Sequence, residues 1–81
     1  MMGDKDSAKD IYTVKTAGDV GRVIRERRKE YGITQKQAAG MCNVGVRFLS
    51  ELENGKPSLE FDKIMRVLQA FGFHCVIKGR G

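Results

Sequence analysis

The sequence predicts a mainly α-helical domain of four or five short helices, closed by a short C-terminal β-strand. Three observations carry this expectation. Residues 33–58, I-T-Q-K-Q-A-A-G-M-C-N-V-G-V-R-F-L-S-E-L-E-N-G-K-P-S, hold the start and stop signals of two short helices joined by a tight turn. On either side of that stretch, apolar residues fall at helical spacing. After Gly72 the pattern changes to the alternation of a strand.

Taken in order, residues 1–15 are polar and mixed in charge over most of their length and read as a flexible arm. Within them Ile11-Tyr12-Thr13-Val14 is a strand-favouring run that needs a partner elsewhere. Thr16 caps the first helix, Asp19 sits in its first turn and Gly32 closes it. Val20, Val23, Ile24 and Tyr31 form the inward stripe, with Arg22, Arg25 and Lys29 outside. Thr34 opens the second helix, over 35–41, with Gln37 at the capping-box position. Asn43 suits the left-handed turn that leaves it.

The third helix runs over 46–54, stopped by Gly55 and Pro57. Leu49 and Leu52, with Val44 of the turn, are expected to meet Ala38 and Ala39, whose small size lets the two helices cross closely. Ser58 caps a fourth helix with the apolar stripe Leu59, Phe61, Ile64, Met65, Leu68 and Phe71, and Gly72 ends it. Met41 and Met65 read as core filler. In 73–78, Phe73, Cys75 and Ile77 share one strand face and His74, Val76 and Lys78 the other. A lone edge strand is unstable, so this one pairs with 11–14 or with its own copy in a second subunit; two-fold self-pairing is the favoured option. The expected organisation is an arm over 1–15, a helix-turn-helix domain over 16–72, and a dimerisation strand and tail over 73–81.

Size and charge narrow the function. A chain of 81 residues makes one small domain, which buries only about 60% of its unfolded surface, and dimerisation is a common remedy. The net charge of +5 lies beyond residue 16, since three Lys and three Asp cancel before it. A basic surface favours polyanions through counterion release, although an ordinary lysine-rich exterior has the same composition. Cys42 and Cys75 are far apart and form no C-x-x-C pair. The first fifteen residues hold no secretory apolar region, and no apolar run approaches the ~18 residues of a membrane span. A cytoplasmic protein with reduced thiols and no membrane partner is expected.

Two short helices joined by a few turn residues are a helix-turn-helix, whose second member enters the DNA major groove; an αα-hairpin without a ligand shares that geometry. The strings G-I-T-Q-x-x-A-A and V-x-V-R-x-L-S-E-L-E-N-G-K-P-S resemble the Xre/Cro-like repressors, a lambda-repressor-like helix-turn-helix type, over about residues 17–71. Thr34-Gln35 and Glu53-Asn54-Gly55-Lys56 are the most specific part of the match. The order of elements, ending in an apolar strand, looks like that of the HipB antitoxins. In those proteins paired C-terminal strands make the dimer, and the dimer represses its own operon while binding the HipA kinase toxin. The sequence departs from the family at Ala38, where Leu is frequent, and at Asn43, where Gly is frequent. Gly45 and Val46 stand where a polar residue usually opens the recognition helix, which reduces direct readout there.

The resemblance implies a role for each matching residue. Gln35, at a positive helix end, holds a DNA phosphate, flanked by Thr34 and Lys36. Arg47 lies in the first turn of the recognition helix, where a guanidinium can form two parallel bonds to O6 and N7 of guanine or clamp a phosphate. Val46 can touch a thymine methyl; Ser50 and Glu51 reach bases, or Glu51 orients Arg47. Phe48 is expected to be partly buried. Asn54 and Lys56 meet the phosphate across the groove, and Arg28 and Glu53 form an internal ion pair that orients the helix. The implied partners are a palindromic double-stranded operator, a second copy of the chain and a HipA-like toxin, with recognition helices about 34 Å apart.

Other classes have less in the sequence to carry them. The single histidine, His74, has no triad spacing around it, so no enzyme is expected. Adjacent His74 and Cys75 point to opposite strand faces, a poor chelating geometry, so no metal or other cofactor is expected. A stand-alone regulator with no toxin and a protein-interaction adaptor that never meets DNA are the alternatives.

Overall fold

The first two helices of the chain begin where a capping residue satisfies N–H groups of the first turn. The Thr16 hydroxyl accepts the Asp19 N–H at 3.1 Å, and the Asp19 carboxylate accepts the Thr16 N–H at 3.2 Å. Thr34 and Gln37 repeat that reciprocal pair, at 3.1 and 2.9 Å. Such a box satisfies two of the donors that a helix start leaves unbonded. The computed structural model describes residues 11–57 and 60–80. Among them are four helices: α1 (Ala17–Tyr31), α2 (Gln35–Cys42), α3 (Val46–Glu53) and α4 (Phe61–Ala70). Asn43 leaves α2 in the left-handed conformation, φ 59° and ψ 47°. Ser58 and Leu59, the expected start of the fourth helix, and the arm residues 1–10 lie outside the described residues.

One apolar cluster joins all four helices: Ile24 from α1, Ala38, Ala39 and Cys42 from α2, Leu49 and Leu52 from α3, and Val67 and Phe71 from α4 and its end. Burial in this cluster pushes the Cys42 thiol above its ordinary pKa. The closest approach, however, is not made by the alanines. A Cβ added at Gly21 would stand 2.0 Å from the Leu52 carbonyl oxygen, so only glycine lets α1 touch the backbone of α3. One turn earlier, Gly18 faces Gly55, where a Cβ would lie 3.0 Å from the Gly18 Cα and where φ is +81°.

The structure corrects several expectations. Tyr31 is about half exposed rather than inward; its ring leans on Phe71 at 5.4 Å while its hydroxyl donates to the Phe71 carbonyl at 3.3 Å. Met41 is exposed, outside the buried face that Ala38, Ala39 and Cys42 make on α2. Phe61 is 65% exposed, because it stands in the first turn of α4 where the other helices no longer cover the stripe. Val67, absent from the expected stripe, is fully buried in its place: the inward spacing is Ile64, Val67, Leu68 and Phe71.

Neither terminal segment forms a strand among the described residues. Residues 11–14 and 73–80 have no regular secondary structure, and they meet through an edge-to-face contact of Tyr12 and Phe73, centroids 5.8 Å apart. Arg27 fastens this corner: its guanidinium lies 4.1 Å from the Phe73 ring centroid and donates to the Phe71 carbonyl at 3.0 Å. The side-chain contact therefore replaces the expected backbone pairing within one chain. Beyond it, Val76 and Ile77 are 76% and 98% exposed.

Candidate nucleic-acid interface

The surface presented by α2 and α3 depends on how the two helices are held. Glu53, the last residue of α3, has its side chain only 2% exposed and carries a charge, so it needs full bonding. It receives three bonds. Arg28 reaches it from α1 in a fork, Nε to Oε2 at 2.7 Å and Nη2 to Oε1 at 3.0 Å, and Gln35 Nε2 adds a bond from α2 at 3.0 Å. Arg28 also donates through Nη1 to the Ile33 carbonyl at 2.8 Å, tying down the loop before α2. The Glu53 carboxylate raises the pKa of Arg28. One buried acid thus fixes three helices at a single point, and fork geometry makes that point directional.

Arg66 gives the turn a second support, donating from α4 to the Asn43 carbonyl at 2.8 Å. Neither Gln35's bond to Glu53 nor Arg66's bond to the turn was legible in the sequence. Both come from elements whose relative angle is fixed only by packing.

On the outer face, the side chain of Arg47 is 91% exposed and that of Lys56 is 62% exposed. Both donate to one oxygen of Glu51, at 3.4 and 3.3 Å. These cations, Lys56 first, hold the Glu51 carboxyl below its usual range. Val46 is 43% exposed beside Arg47, and Ser50 is half-buried one turn on. Phe48 is half-buried, with the Lys63 ammonium 5.4 Å from its ring centroid. Thr34, Lys36 and Asn54 are exposed, and Gln35 is half-buried.

The structure therefore brings Val46, Arg47, Ser50, Glu51 and Lys56 together on and just beyond α3, and Thr34, Gln35 and Lys36 at the start of α2. One amide hydrogen of Gln35 is committed to Glu53, which leaves its second for a ligand. Gly45 at the start of α3 gives no side-chain bond to the helix, so its first N–H groups have no capping oxygen from that residue. Phe73, Cys75 and Ile77 lie away from this face. Cys75 Sγ instead lies 3.8 Å from Met65 Sδ of α4. The described residues include no cluster of three or more His, Cys, Asp or Glu able to hold a metal, and no helix long and apolar enough to cross a membrane.

Two short helices joined by a tight turn, the second presenting its first turn to solvent, are the arrangement of a helix-turn-helix module. The chain belongs to that family: the family model described as Helix-turn-helix matches residues 24–76, from the middle of α1 into the terminal segment. Among curated proteins it is similar to the one named "Uncharacterized HTH-type transcriptional regulator y4mF" from Sinorhizobium fredii. The two are 42% identical over 59 residues, which cover 73% of this chain and 78% of that protein.

Proposed function

We propose that the protein is a sequence-specific, double-stranded DNA-binding transcriptional repressor that acts as a homodimer on a palindromic operator. The observation that carries this reading is the 91% exposed side chain of Arg47 on a helix whose rear is locked by Arg28, Gln35 and Glu53. An arginine so exposed contributes little to folding, but on a helix held from behind it is a pre-aimed donor fork for guanine. Thr34, Gln35 and Lys36 on one side and Asn54 and Lys56 on the other are assigned to the phosphates, where they set register. Family membership and the regulator name of the relative support the same reading.

The homodimer is supported by the terminal segment: Val76 and Ile77 lie beyond an anchored Phe73 and are left largely uncovered by the described residues. Pairing of residues 73–78 with a second copy would satisfy their backbone and bury those side chains. The role of antitoxin, with a HipA-like kinase as partner, rests on the resemblance to HipB proteins. It predicts a kinase-like reading frame beside the gene and a stable complex on co-expression. With no such frame, the stand-alone regulator is the reading to keep.

A salt titration tests the DNA-binding reading. Affinity for duplex DNA is expected to fall steeply between about 50 and 200 mM salt. A protein-interaction adaptor would show no duplex binding at either end.

A further inference from the structure

Residues 33–57 contain two acids, Glu51 and Glu53, and Glu53 is buried and bonded. Glu51 is therefore the carboxylate that the motif itself exposes, and it sits between the two cations of the outer face. Next to a polyanion such a group is a cost. Its oxygens only accept, so they repel phosphate and can bond only a base-edge donor. In the major groove those donors are the amino groups of cytosine and adenine. Adenine carries an N7 acceptor on the same edge, which repels a carboxylate, so cytosine is the better fit.

Arg47 and Glu51 are separated by one helical turn, about 6 Å of rise, against about 3.4 Å per base step. Resting on the proposed DNA-binding reading, we infer that Glu51 sets base preference by rejecting bare phosphate and accepting the N4 amino group of a cytosine one or two steps from the guanine met by Arg47. In the free protein the carboxylate is occupied by Arg47 and Lys56. At a random sequence those cations turn to phosphates and leave Glu51 without a donor. At the correct sequence the cytosine supplies one. The same group thus weakens non-specific binding and rewards the operator.

The test is selection from randomised duplexes with the full-length wild type and with Glu51→Gln, which keeps the shape and removes the charge. Glu51 is a partly exposed surface position, and matching thermal melts establish that both proteins are folded. The wild type is expected to enrich guanine with a cytosine within two steps. Glu51→Gln should keep the guanine, lose its preference for cytosine by roughly tenfold or exchange it for adenine, and bind random duplex about threefold more tightly. An unchanged motif with unchanged random-duplex affinity overturns the role of Glu51 and leaves the DNA-binding reading standing. A wild-type motif lacking the cytosine does the same. A wild type that binds no duplex removes the DNA-binding reading, and this inference with it.

Discussion

The rear of the helix-turn-helix and the terminal corner solve the same problem of holding a segment in place, and they solve it differently. Behind α3, a buried carboxylate takes three bonds from two elements, and two glycines let backbone meet backbone. At the corner of Tyr12, Phe73 and Arg27, the segments are fixed by ring faces and one cation, and the apolar residues beyond them stay in solvent. The first arrangement is self-contained and directional. The second leaves apolar side chains uncovered by the described residues. The difference gives a fixed orientation to α3, the surface proposed to meet the bases, and fewer constraints to the terminal segment, which the proposed dimer would complete.

That contrast can be broken most severely at Glu53. Glu53→Ala strands a nearly buried Arg28 and frees Gln35, and is expected to cost about 3 kcal/mol, read from urea denaturation. A small change in midpoint would mean that the buried network contributes little to holding α3. Next in size, Gly21→Ala drives a methyl into the Leu52 carbonyl, and forcing the helices apart should cost about 2 kcal/mol. Gly40→Ala is the control of opposite sign. Its site on α2 faces open space, so the better helix propensity of alanine should add about 0.5–1 kcal/mol. If both glycine variants moved stability the same way, the close approach of α1 and α3 would not be the reason for Gly21.

At the terminal corner the expected change lies in association. Ile77→Ser removes a 98% exposed side chain, so stability at low protein concentration should not change. Sedimentation equilibrium should instead show weaker dimerisation. A variant that dimerises like the wild type would place the subunit contact elsewhere. The smallest effect is electrostatic. Bonds from the Lys15 and Thr16 N–H groups and from Arg22 hold the Asp19 carboxyl below its usual range. A lowered folded pKa means stability that is present above the unfolded value and is lost as pH falls through the folded one. Asp19→Asn should therefore lower the melting temperature slightly at neutral pH, where the wild type carries the bonded carboxylate, and the two profiles should converge as pH falls below about 4.

Local chemistry made much of the fold legible. The Thr16 cap, the Thr34 capping box, the Asn43 turn and the starts of α2 and α3, with their ends to within one residue, follow from residues within one or two turns of each other. The corrections arise where a residue's fate depends on a distant element. Phe61 and Val67 share a helical stripe, but only the position of the other helices decides which is covered. Gly21 reads as an ordinary helix interior until α3 is laid against it. The strand-like alternation of 73–78 was plain, yet alternation specifies a face and not a partner. At the site, the position of Arg47 in the first turn of α3 was readable from the motif. The bond of Gln35 to Glu53 was not, because it depends on the crossing of α2 and α3.

The most direct test is on Arg47. Binding of the wild type and of Arg47→Ala should be measured by fluorescence anisotropy against a duplex selected by the wild type and against the same duplex shuffled. An arginine that reads guanine predicts a loss of about 10- to 100-fold in preference for the selected duplex, with only a modest loss on the shuffled one. Equal preference in the two proteins would contradict it, and the exposed face of α3 would not be the surface that reads DNA.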